Sequence, residues 1–551
     1  MDQNKRFDRH FTLESDTDSE YTPQSGSGFV TEHTAGGELW RLPEINNGFT
    51  AYPSAAGRGN LTYFRTDVPN AGNYTVKISL SCPDPQADVI VFSERRRCVL
   101  CHAHPGPDGR IHLAFTANVC PIIPRGKETV YSDGAADVTI AGAALKELSI
   151  REAPEIPTVF ILGDSTVTDQ PADLPYDPAS CYCGWGQMLP AFFQEGAAVS
   201  NHAHSGLTTA SFRNEGHWDI VSGSLRPGDY VMMQFGHNDQ KRKDLAAYGG
   251  YAKNLTRYIE EIRAKGAVPI LITPVSRSLW NAPGGQFNDL LKDWADACRT
   301  VAEKTETPLI DLHEQSMRFI LEHGQEGSKP FFHPDDYTHF NDFGGYLMAD
   351  FVVQGLRKTG LQDLRACLRR EDEMPAPSAP QGQAEAPKGR NPFSAPKAPA
   401  QKPAGVDSCL LRAGVSVSRA EFLSAACSTF LYLPKNVYND VYPDVFGDEW
   451  YAGTVQGAYD SGLAGTPAGK NFRPAEPVSC ADALAVLIRI LQDRYQAPKT
   501  EDLGPETGEN KIHKEAGRLG IDFQTPDGKL DGAQAEAMLK KAAAAASKRS
   551  C

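Results

Sequence analysis

Val159-Phe160-Ile161-Leu162-Gly163-Asp164-Ser165-Thr166-Val167 runs from an unbroken apolar stretch into a turn that carries a serine. A short apolar run of this kind predicts a strand buried on both faces, as in a parallel sheet, where functional groups gather outside the carboxyl ends of the strands. Ser165 therefore stands where a nucleophile belongs, and Gly163 is expected to let the backbone turn sharply enough to present its hydroxyl. An isolated Gly-Asp-Ser is more often only a turn, so the weight falls on its surroundings. Between Pro157 and about Gly360, apolar strands (Val159 to Leu162, Tyr230 to Phe235, Val268 to Ile272, Leu309 to Asp311) alternate with amphipathic stretches such as Tyr251 to Lys265 and Phe287 to Glu303. That alternation predicts a parallel sheet with helices on both faces.

The flanks follow other periods. From about Phe29 to Ile150, short alternating segments (Asn73 to Leu80, Asp88 to Phe92, Ile111 to Phe115, Leu145 to Ile150) predict an all-β, jelly-roll-like sandwich. Met374 to Gly405 is rich in Pro, Ala, Gln and Lys, with almost nothing to bury, and reads as a semi-extended linker. The chain is thus expected to divide into a sandwich over 1–153, an α/β domain over 154–366, a Pro/Ala-rich linker over 367–407 and a mostly helical region over 408–551.

Composition narrows the function. A formal net charge of −14 argues against nucleic acid as a partner. No stretch reaches the length of a membrane span, and Met1 to Asp18 lacks the apolar run of a signal peptide, which gives a cytoplasmic expectation. Twelve scattered cysteines in 551 residues read as reduced thiols.

Acyl transfer needs a nucleophile, a base, a group that orients the base, and donors aimed at the developing oxyanion. Asp336-Tyr337-Thr338-His339 places a carboxylate and an imidazole on one loop just before the helix-like stretch Phe343 to Leu356, where they could serve as orienter and base. Asn201-His202-Ala203-His204-Ser205-Gly206 and Gly236-His237-Asn238-Asp239, each at a strand end, could supply donors: a glycine permits close backbone approach, and an Asn amide donates without changing charge.

In order and context these segments resemble the SGNH, or GDSL-type, hydrolases, and within them the rhamnogalacturonan acetylesterase-like carbohydrate esterases (family 12-like). The resemblance covers about Thr158 to Gly360 and includes Gly184-Trp185-Gly186-Gln187 after the first segment. It implies a flavodoxin-like sheet and an acetylated oligo- or polysaccharide, pectin-derived, as substrate. By position, Ser165 would be the nucleophile, His339 the general base and Asp336 its orienting carboxylate. The backbone N–H groups of Ser165 and Gly206 and the Asn238 amide would form the oxyanion hole, with no metal and no cofactor. One departure stands out: where relatives commonly carry Arg after the second-segment glycine, this chain has Leu207, which cannot pair with a uronate carboxylate. An esterase for another acylated glycan or a small acyl ester therefore stays open, as does a non-catalytic wall-binding scaffold.

Toward the carboxyl end, Val417 to Phe422, Tyr442-Pro443-Asp444-Val445, Trp450-Tyr451-Ala452, Gly462-Leu463 and Phe472-Arg473-Pro474 resemble S-layer homology repeats, which implies binding to cell-wall polysaccharide and a cell-surface location if export occurs. The second repeat has Ser479-Cys480-Ala481-Asp482 in place of the basic stretch, and a third, around Ile512 to Met538, is barely recognisable, so assembly or stability competes with anchoring as its role. Cys98-Val99-Leu100-Cys101-His102 matches a haem-attachment pattern but has no second ligand pair, and reads as a loop between sandwich strands. Cys181-Tyr182-Cys183 is assigned no role, and His202, His204 and His237 read as structural. The sandwich is expected to cover one side of the active-site cleft rather than bind sugar, since no aromatic platform is evident.

Overall fold

The computed structural model describes residues 6–13, 20–34, 42–43, 45–53, 61–124, 127–132, 134–280, 287–334, 336–373, 410–432, 441–445, 449–467, 469–495, 497, 507–525 and 528–549. The expected linker lies, from residue 374 on, outside the described residues.

The amino-terminal strands are β1 (Asp8–Thr12), β2 (Ser27–Phe29), β3 (Thr62–Asp67), β4 (Gly72–Ser81), β5 (Val89–Ser93), β6 (Arg97–Ala103), β7 (Arg110–Val119), β8 (Pro121–Ile122), β9 (Tyr131–Ser132), β10 (Ala135–Ala141) and β11 (Ala144–Glu152). Apart from the small β8-β9 pair they form two antiparallel sheets, in the orders β1-β11-β4-β7 and β2-β3-β10-β5-β6. Alternation sends Val76, Ile78 and Leu80 of β4 and Leu113 and Phe115 of β7 inward, to meet Phe64, Val91 and Val138 of the other sheet in one core.

Cys98 to His102, expected as a loop, belongs to strand β6 instead. Its period is hard to read for two reasons: the β5–β6 register shifts between Val89 and Phe92, and this edge is covered on both faces. Val91 and Val99 face the sandwich core, whereas Phe92, Cys98 and Cys101 pack with Met188, Leu189 and Phe192 of the neighbouring α/β domain.

In that domain β12 (Thr158–Gly163), β13 (Ala198–Asn201), β14 (Tyr230–Gln234), β15 (Val268–Ile272) and β16 (Leu309–Ile310) are parallel, in the order β13-β12-β14-β15-β16. Helices Ala252–Ala264 and Lys292–Lys304 set Leu255, Ile259 and Val301 against Phe160, Leu162 and Met233 on one face. Helices Leu312–Ser328 and Asp342–Arg357 set Ile320, Val352 and Leu356 against Val159, Ile161 and Ile272 on the other. The helix expected from Phe287 starts only at Lys292. Phe287 instead bridges to Trp280, and the Asn288 N–H bonds the Leu279 carbonyl at 2.8 Å, which holds the segment extended.

The carboxyl-terminal region is helical, as expected: Arg419–Thr429, Ala452–Asp460, Cys480–Arg494, Glu509–Leu519 and Gly532–Ser547 share one core. Ser418, Ser479 and Asp531 cap three of these helices, each side chain accepting from a backbone N–H three residues on. Single β-bridges join Ser418 to Pro477, Ser479 to Lys529 and Ser416 to Asp531. Among the described residues no helix is long and apolar enough to cross a membrane.

Candidate active site

β12 is an inner strand of the sheet, and its end carries Ser165 into a cavity of about 390 Å³ lined by Ser165, Gln170, Tyr182, Ser205, Gly206, His237, Asn238, Lys241, Arg277, Asp336, Thr338 and His339. Gly163 lies in extended strand, not in a sharp turn: a side chain there would meet the Gln234 carbonyl at 2.7 Å and Val167 at 2.7 Å. Its smallness lets the ends of β12 and β14 approach. Beneath the serine, the Trp185 indole N–H donates to Gln234 at 2.8 Å, the Gln234 amide donates to the Thr166 hydroxyl at 2.9 Å, and Thr166 donates through its N–H and its hydroxyl to Asp164 at 3.0 and 2.8 Å. This buried relay fixes the turn that carries Ser165.

The structure brings Ser165, His339 and Asp336 into one hydrogen-bonded chain. The Ser165 Oγ lies 2.8 Å from the His339 Nε2, and the His339 Nδ1 lies 2.8 Å from the Asp336 Oδ2. The other Asp336 oxygen accepts from the backbone N–H groups of Thr338 and His339 at 2.7 and 3.0 Å, so the three-residue spacing closes a tight turn that points carboxylate and imidazole at each other. Burial raises the Asp336 carboxyl, but the hydrogen bond and charge of His339 and the two N–H donors outweigh it and hold it at about 2. An ionised Asp336 can only accept, so the proton sits on Nδ1 and leaves Nε2 free to receive the serine proton.

The loop is pinned from behind by Asn341, which caps the following helix through the Gly344 N–H and donates to the carbonyls of Pro330 and Phe332 at 2.7 and 3.1 Å.

On the other side of Ser165, Gly206 has φ +86°, a left-handed conformation that favours glycine. Among the described residues, the backbone N–H groups of Ser165 and Gly206 meet no acceptor. Asn238 lines the same cavity with its amide turned to the Leu207 carbonyl at 3.1 Å. His237 is buried 3.3 Å from Asp164, and burial lowers its ring against the pull of that carboxylate. His202 bonds the Ser200 hydroxyl at 2.9 Å, while His204 lies outside the cavity lining.

The sequence reading missed Gln170, Tyr182, Lys241 and Arg277. Arg277 follows the end of β15, so the strand-end rule that singled out Ser165 would have reached it. Tyr182, passed over within a Cys-Tyr-Cys stretch, stacks on His333 at 3.6 Å and stands edge-on to His339 at 5.7 Å. Leu207, by contrast, is 3% exposed and belongs to the core. Among the described residues none of the sandwich lines the cavity, where the sequence reading expected the sandwich to cover one side of the cleft.

The chain matches the GDSL-like Lipase/Acylhydrolase family over residues 161–345 and the S-layer homology domain over 441–484. It is 35% identical over 216 residues to the rhamnogalacturonan acetylesterase RhgT of Bacillus subtilis (strain 168), an alignment that covers 37% of this chain and 90% of that protein. A probable rhamnogalacturonan acetylesterase of the same organism, YesY, is 33% identical over 211 residues, or 37% of this chain and 94% of the relative. An uncharacterized esterase, YxiM, also of Bacillus subtilis (strain 168), is 28% identical over 311 residues, or 56% of this chain and 77% of the relative.

Proposed function

Because this chain belongs to the GDSL-like lipase/acylhydrolase family, we propose that it is a metal-independent serine esterase that removes acetyl groups from cell-wall polysaccharide of the pectin type, through an acetyl-enzyme. The observation that carries the reading is the Ser165–His339–Asp336 chain, with both links at 2.8 Å, beside two unused backbone N–H groups in one cavity. His339 takes the Ser165 proton as the oxygen attacks the ester carbonyl. The Ser165 and Gly206 N–H groups receive the developing oxyanion, and the Asn238 amide joins them by turning from the Leu207 carbonyl. His339 then gives the proton to the departing sugar hydroxyl and activates water to release acetate, with Asp336 holding the imidazole tautomer throughout.

A carbohydrate ester as substrate is supported by the relatives named rhamnogalacturonan acetylesterases. For the acidic sugar, Lys241 and Arg277 give the cavity positive charge that suits a uronate carboxylate, although Leu207 is turned into the core. The proposed division is that read from the sequence, a jelly-roll-like sandwich over 1–153, the esterase over 154–366, a linker over 367–407 and a wall-polysaccharide module over 408–551, with one correction. Leu368 packs in the α/β core and the Arg369 N–H bonds the Phe192 carbonyl at 2.8 Å, so the start of the expected linker belongs to the esterase. Within that module Arg419 is paired with Asp482 at 2.7 Å and lies over the Phe472 ring, so a wall glycan would have to compete for it.

Ser165→Ala is expected to abolish acetate release while leaving the fold intact, and a variant of full activity would refute the assignment. Acetate release from acetylated pectin fragments, xylan and mannan reads the glycan. Equal or greater release from xylan or mannan would replace the pectin reading with the broader one.

A further inference from the structure

Among the described residues the sandwich contributes nothing to the lining of the cavity, yet it reaches the loops that build it. Ser93 pairs with Arg97, so the turn between β5 and β6 consists of Glu94, Arg95 and Arg96. Arg96 is fully buried and projects out of the sandwich into the α/β domain. Its Nη1 donates to both carboxylate oxygens of Asp342 at 2.9 and 2.7 Å, its Nη2 to the Tyr182 carbonyl at 2.6 Å and to Gln187 at 3.2 Å, and its Nε to the Gln170 carbonyl at 3.1 Å. Three of these partners adjoin a reacting group. The Gln170 amide donates to the Ser165 carbonyl at 2.9 Å, the Tyr182 ring stands edge-on to His339, and Asp342 opens the helix just beyond His339.

The neighbouring arginines hold the remaining segment. Arg95 and Arg97 reach Asp169 at 3.2 and 2.9 Å, and both donate to the Asn201 carbonyl, at the strand end that leads to Gly206.

The backbone is strained to allow this. Glu94 and Arg96 have φ of +50° and +59°, in a region that costs an L residue energy and favours glycine, which would delete the guanidinium. Gly48 clamps the turn from outside, since a Cβ there would lie 2.5 Å from that of Arg96.

We propose that the Arg95-Arg96-Arg97 segment, from the turn into β6, is a positioning element for ester cleavage: Arg96 ties the Ser165 loop to the His339 loop, and Arg95 and Arg97 tie in the Gly206 loop. The sandwich is thereby part of the catalytic unit. The inference rests on the roles proposed above for Ser165 and His339, and Ser165→Ala tests those separately. Arg96→Met, Arg96→Lys and Arg95→Gln are made in the full chain, and kcat and KM for 4-nitrophenyl acetate are measured across pH per folded molecule, beside unfolding midpoints. Arg96→Met is expected to lower kcat by at least about tenfold with KM within about threefold, the scale of a small misplacement of reacting groups, and to shift the acid limb of the pH profile. Arg96→Lys keeps the charge without the planar fork and recovers only part of the loss, while Arg95→Gln, at a partly exposed position, falls severalfold. A lowered unfolding midpoint with kcat within twofold of the parent would overturn the proposal, read from Arg96→Lys and Arg95→Gln should Arg96→Met not fold. Full activity in Ser165→Ala would instead overturn the proposed function.

Discussion

Asp239, next to Asn238, is buried with one oxygen accepting the N–H and hydroxyl of Thr209 at 3.0 and 2.6 Å, while the other has no partner among the described residues. Burial pushes its carboxyl up, the two Thr209 donors pull it down, nearby Asp164 adds to the rise, and the balance lies at about 7. An unfolded Asp titrates near 3.9. Below about pH 4 both states hold the proton. Between about 4 and 7 the folded chain keeps a proton that the unfolded chain has released, so stability falls as pH rises, and above about 7 the loss is complete. Displacement from the ordinary 3.8 to about 7, at about 1.4 kcal/mol per pH unit, is worth about 4 kcal/mol. Asp239→Asn keeps the acceptor for Thr209 and removes the titration. Its unpartnered amide carries a penalty of about 1–3 kcal/mol, but one that does not depend on pH. Urea unfolding of both proteins, followed through buried Trp185 and Trp294, should show the variant gaining about 4 kcal/mol on the parent between pH 4 and pH 8. A difference that stays flat over that range would refute the reasoning, because Asp239 would then ionise as an exposed carboxylate does.

Asn238→Ala should lower kcat by about 10²–10³ with KM little changed, since its amide is needed only once the oxyanion forms; steady-state kinetics on a chromogenic acetate checks this. Asp336→Asn should lower kcat by about 10⁴, because the new amide donates to Nδ1 and moves the imidazole proton to Nε2, closing the base to Ser165; a kcat within tenfold of the parent would exclude that tautomer argument. Native Asp336 also contributes stability above about pH 4 that is lost as pH falls toward about 2, so acid unfolding of Asp336→Asn should begin from a lower baseline and show a shallower slope in that window. Gly344→Ala would place a methyl 1.9 Å from the Phe331 carbonyl and should lower the unfolding midpoint by several degrees, measurable by calorimetry.

The candidate site was legible where it is local. A strand end, a glycine and a serine are consecutive, and a carboxylate three residues before an imidazole closes its own turn, so Ser165, Asp336 and His339 could be read without knowing what surrounds them. Arg96 could not. Its partner Asp342 is 246 residues away, and within Glu94-Arg95-Arg96-Arg97 the sequence looks like a solvated charge run. Whether such a run meets water or protein is decided by tertiary packing. The same holds for Phe287, whose helical spacing lost to a pairing with Trp280, and for β6, whose two buried faces erase the alternation that would mark it as a strand.

The bridges of the carboxyl-terminal region form a closed circuit: first unit to second through Ser418 and Pro477, second to third through Ser479 and Lys529, third back to first through Asp531 and Ser416. A linear array can lose its terminal member and keep the rest, but a circuit cannot, because removing any unit leaves two open edges. The faint third unit is therefore under the same constraint as the other two: its surface is free to drift as long as Asp531 keeps its cap and its bridge to Ser416, and Lys529 keeps its bridge to Ser479. Deleting it should melt all three units together instead of shortening the array by one.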